Sequence, residues 1–331
     1  MKKIINDPKN YIDEMIEGII ANEPTKLSRI KGFDVITRKK INKDKVALIS
    51  GGGAGHEPAH GGFVGEGMLD AVVVGPVFTS PTPNQIEAAI KEVTGDKGAL
   101  VIIKSYTGDR LNFEAGQMLV EVTDLKVEKV IVGDDVAIDD TSKTAGARGL
   151  AGTIFIHKIA GALAEQGASL KEVAKMAQDV ADSVRTMGVG IEACVVPAAG
   201  KASFILSEDE VELGLGIHGE PGTEKSKMLP SKDLVDELLA KILKDDFYKG
   251  SEVAVMVNGL GGTPISELHI ANNDLAKALK AKNMKVAKTL VGNYVTSLEM
   301  KGFSISILKL TPKMKTLLNA KADTLAWKEV A

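Results

Sequence analysis

The chain has one cysteine, Cys194, and one tryptophan in 331 residues. A single thiol cannot close an internal disulfide. In "IEACVVPAAG" Cys194 reads as a small buried apolar residue rather than a reactive thiol. Aromatic residues make up only 4% against 44% hydrophobic residues overall, so the core must be aliphatic, which points to α/β architecture rather than a β-sandwich. There is no basic excess either. The net charge is −3, which argues against a direct nucleic-acid binder. No apolar run approaches the ~18 residues of a membrane span. The start "MKKIINDPKNYIDEM" puts Asn6, Asp7 and Pro8 where a secretory leader needs apolar residues. These absences together predict a soluble, cytoplasmic protein.

What is present is organised by short β-branched runs: "KVALIS" (45–50), "AVVVG" (71–75), "ALVII" (99–103) and "KVIVG" (129–133). Helical stretches separate them, such as "PNQIEAAIKEV", with Thr82 as N-cap and Pro83 in the first helical position. Runs apolar throughout, alternating with helices, predict parallel strands covered on both faces. Residues 150–186 read as two further helices. Beyond about 187 the pattern turns to strands with little helix between them ("GVGIEACVVP", "ASFIL", "EVELGLGIHG"), then helices at 231–244 and 265–282 alternating with strands. The length suits two domains, expected at 1–187 and 188–331.

Ligands of α/β sheets gather beyond the carboxyl ends of strands. That rule selects Ser50–Gly62, Val77–Pro83, Lys104–Asn112, Gly133–Asp140 and, in the second half, Gly216–Gly222. The first contains "HEPAH", His56 to His60, which matches the H-E-x-x-H zinc motif in letters only. That motif needs both histidines on one face of a continuous helix. Pro58 and the surrounding glycines forbid it, so no metal site is expected. The loop lacks the Lys-Ser/Thr of a phosphate-binding loop, and no nucleotide signature occurs elsewhere. Two readings survive: bare backbone amides approaching a small polar ligand, or a tight turn that requires positive φ. Asp109 is either a general base beside a histidine or the cap of the next helix. His218, between Gly216 and Gly219, sits on no apolar helical face, whereas His157 and His269 fit ordinary helical positions.

In order along the chain, "SGGGAGHEPAHGGFVGEGML", "FTSPTP", "IIKSYTGDRLNFE", "DDVAI", "VPAAGK", "GIHGEPG", "GGTPISEL" and "TSLEMKGFSISILK" form a set that resembles the substrate-binding K subunit of dihydroxyacetone kinase. The likeness covers nearly the whole chain. It implies two α/β domains, each a β-sheet flanked by helices, with the substrate site at their junction, in a homodimer. It also implies roles. His218 would hold dihydroxyacetone as a covalent hemiaminal; Gly53 and Ser80 would contact the substrate; Lys104 and Asp109 would hold its hydroxyls. His56 would accept the proton of the hydroxyl being phosphorylated, assisted by Asp109. A histidine adduct demands a carbonyl, so it rejects glycerol.

The resemblance further implies no cofactor on this chain. ADP or ATP with Mg would sit on a partner L subunit, recharged by a phosphotransferase-system phosphocarrier with phosphoenolpyruvate as ultimate donor. The end at Ala331 is read as leaving no room for a nucleotide domain. Four positions depart from the family's usual residues: Ala54 for Ser, Ser105 for Asn, Ala147 for Arg and Gly259 for Asn. His56, Lys104, Asp109 and His218 match. This pattern fits a working kinase subunit, and it also fits a paralogue that senses dihydroxyacetone as coactivator of a transcription regulator.

Overall fold

A computed structural model describes residues 2–138, 146–220 and 222–330. Two six-stranded sheets dominate, with helices packed on them. In the first, the order is β1 (Leu27–Arg29), β2 (Val35–Arg38), β5 (Ala71–Val77), β3 (Ala47–Ala54), β6 (Ala99–Lys104) and β7 (Val127–Val132). β5, β3, β6 and β7 run parallel, and β1 and β2 extend the sheet antiparallel. The continuous apolar runs are fully buried in β3 and β6, as a sheet covered on both faces requires.

α2 (Pro83–Val93) opens with a Thr82–Gln85 capping box, and α3 (Thr107–Met118) packs against it. α4 (Thr153–Glu165) is buried along almost its whole length, beside α5 (Leu170–Ala181). The second sheet has the order β10 (Glu224–Lys227), β9 (Glu210–Leu213), β8 (Val184–Glu192), β13 (Lys301–Leu310), β11 (Glu252–Gly259) and β12 (Lys285–Gly292). It is antiparallel except for the β11–β12 pair, which α7 (Ile265–Ala281) connects as a crossover.

Residue 187 lies inside β8, whose first residue is Val184. The C-terminal segment returns to the first unit: α8 (Pro312–Leu318) packs on α4, and β14 (Ala322–Thr324) pairs with β4 (Gly65–Glu66). Leu317, Leu318 and Trp327 accordingly share one core with Phe155 and Leu48. The run "ASFIL" is not a strand. Only Ala202 bridges, to Val195, and Ile205 is 85% exposed, so an apolar run without a neighbouring strand stays irregular. Among the described residues no helix is long and apolar enough to cross a membrane.

Candidate functional site

The glycine-rich segment is strand before it is loop. β3 continues through Gly51, Gly52 and Gly53 to Ala54, four residues beyond the expected end at Ser50. The glycines are there because neighbours press on them. A Cβ on Gly53 would lie 2.5 Å from the Thr79 backbone nitrogen, and one on Gly52 would lie 2.5 Å from Lys104 Nζ. The turn reading also holds in part, since Gly55 has φ +97°, open to glycine and costly for other residues. Beyond it, His56–His60 forms a bend and turns, not a helix.

The two histidines of "HEPAH" therefore go to different partners. His60 Nδ1 lies 2.9 Å from His157 Nε2, and His56 Nδ1 lies 2.8 Å from the Thr296 carbonyl oxygen. A carbonyl only accepts, so His56 must carry its proton on Nδ1. Its Nε2 then holds a lone pair, and that atom is buried without a protein partner. The loop Thr296–Leu298 clamps this segment from the second half: Thr296 N–H donates to His56 O and Leu298 N–H to Gly55 O.

His218 arrives from the loop after β9. Its ring centroid lies 4.9 Å from that of His56, 5.6 Å from Phe78 and 4.3 Å from Tyr106, against which it stands edge to face. Burial pushes its pKa down to about 3, with the nearby charges of Lys104 and Arg148 acting in the same direction. Burial, His218 and Lys104 likewise hold His56 well below its ordinary value. Both imidazoles are thus neutral at pH 7.

At the floor, the fully buried Lys104 at the end of β6 reaches Asp109 Oδ2 at 3.3 Å. Asp109 occupies the first turn of α3, where Tyr106 is the N-cap, so it does not cap the helix. Ser80 follows β5, and its hydroxyl is buried without a partner. A Cβ on Gly108 would lie 3.4 Å from Ser80 Cβ, which places Ser80 against the first turn of α3.

The structure thus brings His56 and His218 together, with Gly53, Ser80, Lys104 and Asp109 around them. His157 is buried on α4, His269 is exposed on α7, and Cys194 is buried. Asp139, Asp140 and Pro221, which fall in two of the selected loops, lie outside the described residues. Sequence reasoning gave no role to Phe78, Tyr106 or Glu220, although they lie in the selected loops, and did not reach Arg148 or Thr296. Each stands within or beside a quoted motif, but its part is packing, ion pairing or a backbone contact, and none of these leaves a residue-type signature.

The array is two neutral imidazoles at the edge of a buried lysine–carboxylate pair. It offers a nucleophilic nitrogen, a free basic nitrogen and polar groups to hold hydroxyls. Comparison with known proteins gives the family. The chain is 47% identical over 329 residues to a protein of Listeria innocua serovar 6a, the dihydroxyacetone-binding subunit DhaK of a PTS-dependent dihydroxyacetone kinase, covering 99% of this chain and 100% of the relative. The dihydroxyacetone kinase of C. freundii, solved with AMP-PNP and Mg2+, superposes with TM-score 0.93 at 36% identity, over 99% of this chain and 61% of that one. The dihydroxyacetone kinase operon co-activator Dha-DhaQ superposes with TM-score 0.91 at 35% identity, over 96% and 98%. With the Dak1 domain matching residues 17–326 and full-length identity at this level, the chain belongs to the Dak1 domain family.

Proposed function

We propose that this chain is the dihydroxyacetone-binding subunit of a phosphoenolpyruvate-dependent dihydroxyacetone kinase. A ring nitrogen of His218 adds to the ketone carbon, and the C=O electron pair moves to oxygen. The proton lost from the other ring nitrogen balances the new hydroxyl, leaving a neutral hemiaminal. The adduct fixes a terminal hydroxyl beside His56, with Lys104, Asp109, Ser80 and the Gly53 backbone holding the remaining oxygens. His56 Nε2 takes the proton of that hydroxyl as it captures the phosphoryl group, and Asp109 assists. The phosphoryl group comes from nucleotide and Mg on a partner L subunit, recharged by a phosphotransferase-system phosphocarrier. The working form is a homodimer.

One observation carries this reading: His56 and His218 lie 4.9 Å apart, both neutral, with His56 Nε2 unpartnered. The test is reconstitution with L subunit, phosphoryl donor chain and dihydroxyacetone. Dihydroxyacetone phosphate should form. His56→Ala and Asp109→Ala should slow turnover at least ~10-fold, within the ~10²–10⁴ range of general base catalysis, while native mass spectrometry still shows the adduct. His218→Ala should abolish the adduct.

A second reading has its own support in the full-length likeness to an operon co-activator and in Ala54, Ser105 and Ala147, which alter the surroundings of the site. It makes the chain a dihydroxyacetone sensor. Tight binding to a DNA-binding regulator, with no turnover beside an active partner set, would select it.

A further inference from the structure

His218 and His56 come from different halves of the molecule, so something must hold one in register with the other. Arg148 is half-buried at this junction and divides its guanidinium between the two sides. Toward the first half, Nε donates to Asp135 Oδ2 at 2.6 Å. Toward the second, Nη2 donates to the Gly214 carbonyl at 2.6 Å, and Nη1 lies 3.7 Å from Glu220 Oε1. The other oxygen of Glu220 accepts the backbone N–H of His218 at 2.8 Å. Asp135 is itself fixed, accepting from Ala137 N–H at 2.9 Å and bridging to Thr186 of β8. The sequence leaves room for this arrangement. A Cβ on Gly216 would overlap the Glu220 carboxylate and lie 2.9 Å from Arg148 Nη1.

We propose that Arg148 is a positioning residue for the nucleophile: acting through Glu220, it fixes the His218 backbone so that the imidazole stands between Tyr106 and His56. A planar guanidinium can serve Asp135, Gly214 and Glu220 at once, which an ammonium cannot. The bond from the His218 amide to an ionised carboxylate is of the stronger, charge-assisted kind. Removing Arg148 leaves Glu220 without its cation, and the nucleophile loop loses its tie to the half that carries His56.

Two measurements test this, and only the first rests on the function proposed above. Arg148→Gln should weaken dihydroxyacetone adduct formation at least ~10-fold, read by native mass spectrometry well below the melting temperature, with Arg148→Lys in between. Gly216→Ala, which displaces Glu220 without touching the histidine, should reproduce the loss. Arg148→Gln and Glu220→Gln together should be no worse than Arg148→Gln alone, because both break one chain of contacts. The second measurement needs no ligand. Amide hydrogen exchange at His218 should lose at least ~10-fold protection in Arg148→Gln while β8 and β13 amides keep theirs.

Unchanged protection at His218 overturns the proposal whether or not the ketone binds. Additive losses in the double variant, or adduct affinity within twofold of the parent in Arg148→Gln, also overturn it. If the parent chain takes no dihydroxyacetone, the function reading fails and the exchange result alone decides the role of Arg148.

Discussion

A histidine that donates Nδ1–H to a buried carbonyl has its tautomer chosen for it, and Thr296 makes that choice for His56. Burial makes the second choice by depressing His56, His60, His157 and His218, and the charge of Lys104 pushes all four the same way and helps to keep them neutral. Replacing Lys104 by Met removes a cation beside His218, so the imidazolium becomes less costly and His218 should titrate at higher pH. NMR of the ring protons reads this directly, and an unmoved titration would refute the coupling. The same variant strands Asp109 as a buried carboxylate without its partner, which should cost about 3–5 kcal/mol of stability. Lys104→Met with Asp109→Asn should recover part of that loss in urea unfolding, because the orphaned charge is then gone.

Asp109 stands where it does because α3 is pressed onto α2. The contact is made at Gly116, where a Cβ would lie 2.6 Å from Ile86 Cγ2 and 3.0 Å from the Pro83 carbonyl oxygen. Gly116→Ala raises helix propensity by about 1 kcal/mol but overpacks this seam, at a typical cost of about 1–3 kcal/mol. The net result should be a lower urea midpoint and slower turnover, since α3 must shift. Gly18→Ala on α1 (Tyr11–Asn22) meets nothing within 4 Å and should instead stabilise by up to about 1 kcal/mol. Equal effects of the two alanines would contradict the packing argument. Elements of this kind differ in how far sequence reveals them. β3, β5, β6 and α2 announce themselves through continuous apolar runs and a capped Pro83, because burial on two faces and capping both restrict residue type. The start of α3 does not, since "TGDRLN" reads as a polar loop with a helix after Asp109, whereas the helix begins at Thr107 and takes Asp109 into its first turn. "ASFIL" misleads for the opposite reason, being apolar with no strand to pair with. At the site, His56, Lys104, Asp109 and His218 stand out as polar groups at loop or strand ends. Tyr106, Thr296 and Arg148 act by shape, by a carbonyl and by an ion pair across the junction, which only the folded chain brings together.

Across the whole molecule, the buried histidines make folding sensitive to acid in a definite direction. His56 and His60 are held well below the ordinary value of 6.5, and His157 and His218 are pushed down to about 3, in every case chiefly by burial. A base whose folded pKa is depressed binds its proton more readily when unfolded, so the stability it contributes is complete above pH 6.5 and is lost as pH falls below it. Asp134 opposes this. It is buried at the end of β7, and burial raises it to about 6, although it accepts hydrogen bonds from Leu150 N–H, Gly152 N–H and the Thr186 hydroxyl. The folded chain therefore holds a proton there between about pH 6 and 4 that the unfolded chain releases. Burial raises Glu57 and Asp135 as well, so these carboxylates subtract from the proton uptake of the four histidines, which remains the larger effect on unfolding near pH 5.5. The unfolding free energy, measured in urea from pH 7.5 to 5, should fall accordingly, and calorimetry in two buffers of different ionisation enthalpy should count the protons taken up. Because burial keeps His218 neutral in the folded chain down to about pH 3, the loss over this interval is one of stability alone, and dihydroxyacetone binding by the folded chain should stay level. Stability that stays level between pH 7 and 5 would show that these imidazoles are not held neutral by the fold.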